Sequence, residues 1–139
     1  MQTFLPFKSF YESARVLDNR RLGKQRVECL QILKALNDPN YGWQNHPATK
    51  MWRGDVFGLA QYGLNICDEW IRRGFKDTCR DKIAQFSSTT RALQYIITPD
   101  WITDELCLSH RSNLVRKMPE HYSKYFPDVP ADIPYVWPV

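Results

Sequence analysis

Arg21, Lys24, Glu28 and Gln31 recur at intervals of three, four and three residues. On an α-helix such residues stand on one face, one above another. The stripe would set an ammonium against a carboxylate, with a guanidinium and an amide at its ends. That set suits proton transfer beside a bound anion. It also suits a solvated helix face, where an i,i+4 Lys–Glu pair is ordinary and worth about 0.2–0.5 kcal/mol. Two features favour a site. Arg20, Arg21, Lys24 and Arg26 gather just inside the start of the helix they would occupy, where cations oppose the helix dipole unless anions are bound. The segment is also central in the apolar pattern, so neighbours are expected on both faces.

Three further groups carry possible chemistry. His46, in Asn45-His46-Pro47 and soon followed by Trp52, could donate to phosphate or exchange protons near neutral pH. It could equally be a loop histidine bonded to the backbone. Ser109-His110-Arg111-Ser112 suits phosphate contacts or a solvated helix face. His121-Tyr122-Ser123-Lys124-Tyr125-Phe126 interleaves aromatic and basic groups, as contact with nucleic-acid backbones and bases requires. Alternatively it packs Tyr122, Tyr125 and Phe126 into the core.

The elements that must position these groups read as helices. Ser9 and Glu12 form a capping box for a short helix to about Leu17. Asp18 caps a second helix through about Leu36, with Leu22, Cys29, Leu33 and Leu36 inward and Val27 and Leu30 beside them. Gly23 weakens that helix by about 1 kcal/mol relative to Ala and leaves room for a close approach. Asn37 to Gly42 is turn chemistry, and Pro47 opens a short helix. Asp55 to Arg73 is a main helix, with Val56, Leu59, Ala60, Leu64, Cys67, Trp70 and Ile71 inward and Gly74 as its stop. Thr78 to Phe86 reads as a brief polar helix, and Arg91 to Ile97 as helix or strand. Thr98 to Trp101 is a turn, Asp104 to Lys117 a helix ended by Pro119, and Pro119 to Tyr125 one more short helix. The Pro-rich tail from Pro127 to Val139 is extended. The expected fold is all-α: a single compact helical bundle over residues 1–139 with an extended tail.

The bulk numbers agree with one soluble domain. The chain has 139 residues, 43% hydrophobic and 24% charged. A net charge of +4, a pI near 8.9 and 14% aromatic residues leave nucleic acid open as a partner. Cys29, Cys67, Cys79 and Cys107 are widely spaced, without metal-site spacing. Cys29 and Cys67 lie in apolar helical patterns, as buried free thiols. With no signal peptide and no long apolar run, a reduced cytoplasmic protein without membrane association is expected. No P-loop, GxGxxG, HExxH or GxSxG motif occurs. Catalysis, if any, would then use ordinary side chains or the chain terminus, with neither metal nor cofactor.

The pattern Leu17-Asp18-x-x-Arg21-Leu22-x-Lys24-x-x-x-Glu28-x-x-Gln31, then Asn45-His46-Pro47 with Trp52, then His110-Arg111-Ser112, resembles the small pyrimidine-dimer DNA glycosylase/AP lyase family. This is the endonuclease V type of phages and some bacteria, and the likeness is closest to its divergent bacterial and phage branch. The resemblance implies base excision through an imine. An amine attacks C1′ of the damaged nucleotide and expels the base, and the Schiff base then permits β-elimination and strand nicking. In the family's best-studied member the amine is the N-terminal α-amine, assisted by a carboxylate on an early helix. An α-amine has an intrinsic pKa near 7.7–8.0 against about 10.4 for lysine, so more of it is nucleophilic at neutral pH.

This chain departs from the pattern in having Gln2, where a small residue would permit loss of the initiator Met. Retained Met1 or a buried Lys24 therefore supplies the amine, with Met1 favoured. Glu28 is the expected carboxylate and Asp18 the second choice, with Arg21 in the same pocket. Arg20, Arg26, Arg111 and Lys117 are expected on phosphates, with Gln31, His46, His110, Ser112, Lys124 and Tyr125 also on DNA. Trp52 or a tail aromatic would fill the gap left by a flipped nucleotide. The expected partner is damaged double-stranded DNA, cyclobutane pyrimidine dimers being the foremost lesion, met by a monomer in a bacterial cell or phage-infected host. Two other readings stay open: a non-catalytic nucleic-acid-binding domain, and an enzyme on free nucleotides or nucleosides using the Arg21/Lys24/Glu28/His46 pocket.

Overall fold

The computed structural model describes residues 1–87 and 98–139, and the segment from Arg91 to Ile97 lies outside the described residues. Among those described, the protein is helical and without strands. The helices are α1 (Phe10–Val16), α2 (Asn19–Asn37), α3 (Pro47–Met51), α4 (Val56–Arg72), α5 (Arg80–Ser87), α6 (Asp104–Lys117) and α7 (Pro119–Tyr122). None is long and apolar enough to cross a membrane.

Local sequence explains most of the boundaries. Ser9 Oγ accepts from Glu12 N–H at 3.1 Å, and Asp18 Oδ2 from Arg21 N–H at 3.3 Å. Asp55 and Thr103 cap α4 and α6 in the same way. Asp77 Oδ2 accepts from the amides of Cys79 and Arg80, which moves the start of α5 to Arg80. Helix α4 ends in a Schellman turn. Gly74 N–H donates to Ile71 C=O and Phe75 N–H to Trp70 C=O, Gly74 has φ +95°, and the Trp70 and Phe75 rings stack at 4.2 Å.

Helices α2 and α4 form the central pair, α5 packs across both, and α1 and α3 flank them. The pair is tight because glycines sit where helices meet. A Cβ at Gly23 would lie 2.9 Å from the Trp70 indole, and one at Gly63 would lie 2.5 Å from Cys29 Sγ. The room at Gly23 is thus filled by a tryptophan of α4. Leu22, Cys29, Leu33, Leu59, Cys67 and Ile83 are buried at this junction. All four cysteines are buried free thiols.

Two apolar assignments are corrected. Val27 and Ile71 are 45% and 46% exposed. Gln25, Glu28 and Glu69 are buried in their helices instead, because each meets polar partners that a valine or isoleucine could not satisfy. The last thirteen residues carry no helix and lie along α6. Ser112 Oγ donates to Pro130 C=O at 2.5 Å, Asn113 Nδ2 to Ile133 C=O at 3.0 Å, and Val136 N–H to Ser109 Oγ at 3.1 Å.

Candidate active site

The first seven residues have no regular structure, yet residues 2–6 are buried. Buried backbone must find partners, and here side chains supply what a neighbouring strand would. Gln2 N–H donates to Glu28 Oε2 at 3.2 Å, Phe4 N–H to Gln25 Oε1 at 3.0 Å and Leu5 N–H to His110 Nδ1 at 2.8 Å. The carbonyls are met as well. Gln25 Nε2 donates to Gln2 C=O at 2.7 Å, Tyr62 O–H to Phe4 C=O at 2.8 Å and Arg111 Nη1 to Pro6 C=O at 2.7 Å. Trp52 Nε1 donates to Thr3 Oγ1 at 3.0 Å. The chain's start is thereby clamped by α2, α4, α6 and the end of α3.

Clamping delivers Met1 to a cleft of about 390 Å³. Arg20, Arg21, Lys24, Gln25 and Glu28 of α2 line it, together with Gln2, Phe4, Lys117 of α6 and Tyr135 of the tail. Glu28 is buried. Its Oε2 also accepts from Gln25 Nε2 at 3.2 Å, and its Oε1 lies 3.6 Å from Lys24 Nζ. These are long contacts for a carboxylate. The cleft can therefore hold an anionic, sugar-sized group among cations, with one loosely held carboxylate and Met1 at its wall.

The surrounding charges are set by particular neighbours. Burial works to raise the Asp18 carboxyl, but the Tyr122 hydroxyl, which donates to Asp18 Oδ1, and Arg21 at 3.2 Å outweigh it and hold it below the usual carboxylate value. Partial burial, then the charges of Arg21, Arg116 and Lys24, push Lys117 below the usual lysine value. His46 is lowered by burial first and then by the N-terminal ammonium, with Glu28 opposing. Its Nδ1 accepts from Ala48 N–H at 3.0 Å, so neutral His46 carries its proton on Nε2.

Met1, Arg20, Arg21, Lys24, Glu28 and Lys117 are thus gathered in one cleft. The expected burial of Lys24 is corrected: its side chain is 73% exposed, since it reaches outward from α2 to Glu28. Asp18 is buried as the cap of α2 and is bonded to Arg21 and Tyr122. Trp52, His110 and Ser112 are fully buried and cannot meet DNA from there. Trp52 and His110 hold the first residues, and Ser112 holds the tail. Arg26 is paired with Asp77 at 2.6 Å over the Trp70 ring, and Arg111 is turned to Pro6. Gln31 is half-buried further along α2. Lys124 and Tyr125 are exposed beyond α7, the ammonium 5.4 Å from the ring centroid.

Gln2, Gln25, Tyr62 and Tyr135 were missed by sequence reasoning. Gln25 alone had a signal, since Arg21, Gln25 and Glu28 also share a helix face. Among the described residues no group of three or more His, Cys, Asp or Glu is placed to hold a metal ion.

No curated protein and no solved structure matches this chain. Over residues 1–83, more than half of its length, it matches the family model described as pyrimidine dimer DNA glycosylase, and it belongs to that family.

Proposed function

We propose that this protein removes damaged pyrimidines from duplex DNA, cyclobutane dimers foremost, through a Schiff base on the α-amine of Met1, and then nicks the strand. The observation that carries the reading is the clamp. It fixes Gln2 N–H 3.2 Å from Glu28 Oε2, one residue from the amine. In its uncharged form the amine attacks C1′ and gives up a proton to the Glu28 carboxylate, and the glycosidic electron pair leaves with the base, which takes that proton from Glu28. Opening of the sugar ring breaks C1′–O4′ and gives the imine, with O4′ leaving as a hydroxyl. The Glu28 carboxylate then takes a C2′ proton, the C3′–O bond breaks, and the 3′ phosphate departs. Water hydrolyses the imine and restores the amine. Arg20, Arg21 and Lys117 hold the phosphates, and Lys24 screens Glu28 at the mouth.

A second amine has an observation in its favour. Lys117 also lines the cleft, and its lowered pKa makes more of it nucleophilic. Borohydride reduction of the protein with a dimer-bearing duplex, followed by mass mapping of the linked residue, decides among Met1, Lys24 and Lys117. N-terminal acetylation should abolish the trapped complex, whereas Lys24→Arg and Lys117→Arg should keep it. Trapping that survives acetylation and disappears in a lysine variant would move the chemistry to that lysine. No trapping by unmodified protein would remove the imine altogether.

A further inference from the structure

The tail is fastened to α6 on both sides of Tyr135. Ile133 N–H donates to Ser112 Oγ at 3.0 Å, and Asn113 Nδ2 donates to Ile133 C=O at 3.0 Å. On the other side Val136 N–H donates to Ser109 Oγ at 3.1 Å. Ser109, Ser112 and Asn113 are buried, and buried polar side chains must be bonded, so their presence in α6 answers to the tail they hold. Between these bonds the Tyr135 ring meets His110 at 5.5 Å and Trp137 at 5.5 Å. The residue is half-buried and lines the cleft that also holds Met1 and Glu28.

The ring is seated, but its hydroxyl is not. Tyr62 O–H donates to Phe4 C=O and Tyr122 O–H to Asp18 Oδ1, whereas no described residue bonds the Tyr135 hydroxyl. Burial, joined by the charge of Glu28, holds the phenol above the usual tyrosine value against the pull of Arg116 and Arg21. At neutral pH it is therefore protonated and a donor. The imine route needs such a donor. Once the base has taken its proton from Glu28, O4′ must gain another as C1′–O4′ breaks, and Glu28 must stay a carboxylate for the C2′ proton. Arg20 and Arg21 hold their protons. Lys24 lies on Glu28, and Lys117 would lose its hold on phosphate by giving up its charge. A neutral phenol remains, and its anion is stabilised among those cations.

We propose that the Tyr135 hydroxyl is the general acid of sugar-ring opening, donating its proton to O4′. This rests on the glycosylase reading above, and it adds a catalytic residue from outside the segment, residues 1–83, that matches the family. The amine nitrogen, having lost a proton to Glu28, uses its lone pair to form the C1′=N bond. The C1′–O4′ pair goes to O4′, which takes the phenolic proton. The phenolate, left under the attraction of Arg116 and Arg21, regains a proton from water. An acid placed in this way contributes ~100-fold or more.

The test is rapid-quench borohydride trapping on a dimer-bearing duplex at saturating protein. Tyr135→Phe keeps the ring against His110 and Trp137 and should melt with the parent. It should trap ~100-fold more slowly, while its affinity for a duplex carrying a tetrahydrofuran abasic analogue stays within about twofold of the parent's. Fluorotyrosine placed at position 135 has the same reach and a more acidic hydroxyl, so it should trap faster than the parent, as proton donation follows acidity. A parent rate in Tyr135→Phe would overturn the assignment. So would weaker binding with an unchanged rate at saturation, which would make the hydroxyl a DNA contact. Should the Phe variant melt lower, the fluorotyrosine protein decides alone, and a rate no faster than the parent's overturns the acid. Absence of trapping by the parent would sink the imine and this assignment together, whereas trapping by parent and Phe variant at one rate would sink only the phenol.

Discussion

Glu28 and Glu69 are both buried glutamates with cations three or four residues away on their own helices, yet their surroundings differ. Glu69 is saturated. Arg72 donates to both of its oxygens at 2.7 Å and Arg73 adds a third bond at 2.7 Å. Arg73 continues to the carbonyls of Leu17 and Arg15, closing the end of α1 onto α4. Burial opposes ionisation of Glu69, but the two guanidiniums outweigh it and hold the carboxyl below its usual value. Glu28 receives only amide donors at 3.2 Å and an ammonium at 3.6 Å, and it faces a cleft. A carboxylate with short bonds on every side is committed to the fold. One with long bonds and open space keeps capacity for a reacting proton. The spacing of charges in the sequence is alike at the two sites, and the clamped chain end is what separates them.

Exchanging the two roles gives the largest expected effect. Glu28→Gln should reduce base release by ~100-fold or more, since a placed proton acceptor contributes about that much, with little change in melting temperature. Glu69→Gln should do the reverse, costing about 2 kcal/mol through loss of charge-assisted bonds to Arg72 and Arg73 while the folded fraction excises normally. Single-turnover base release and urea melts of both variants check this. A Glu28→Gln protein of near-normal rate would dissolve the distinction between the two glutamates.

The next effect sharpens what the clamp contributes. His110 is fully buried, with Nδ1 accepting from Leu5 N–H. Burial pushes its pKa down to about 3. Below the unfolded value near 6.5, the unfolded chain takes up a proton that the native state refuses. Stability from this group is therefore complete above pH 6.5 and falls toward pH 3, by at most about 1.4 kcal/mol per pH unit. His110→Asn can still accept from Leu5 and has nothing to titrate. The stability difference between parent and variant should narrow as pH falls from 7 to about 5, above the range where Asp18 and Glu69 titrate. A constant difference would mean that His110 does not hold the chain start as a neutral acceptor.

How far the sequence discloses this arrangement depends on distance along the chain. Ser9, Asp18, Pro47 and Gly74 act on neighbours within a turn, and the helices they bound are legible. The Arg21/Lys24/Glu28 stripe is legible for the same reason. The clamp is not, because Leu5 meets His110 across 105 residues and no local period records that pairing. Trp52 and His110 are polar enough to suggest a DNA contact, but each spends a ring nitrogen on the first five residues. Val27 and Ile71 look apolar and are exposed, because Glu28 and Glu69 find polar partners inside.

The smallest effect separates free cations from committed ones. Among the described residues, Arg20 and Lys117 have no carboxylate partner and line the cleft, whereas Arg26 is paired with Asp77 and Arg73 with Glu69. A cation that neutralises a phosphate releases a counterion, so its removal lowers the slope of log K against log salt by about 0.9. Arg20→Ala and Lys117→Ala should each do so on paired and damaged duplex alike. Arg73→Ala should leave the slope unchanged although it weakens the fold, because that guanidinium is already spent on Glu69 and the end of α1. Binding titrations from about 50 to 200 mM salt resolve a change of this size. Equal slopes for all three variants would mean that DNA does not lie along the cleft. A lower slope in Arg73→Ala alone would move the DNA to the α1–α4 face and reverse the roles of the two glutamates.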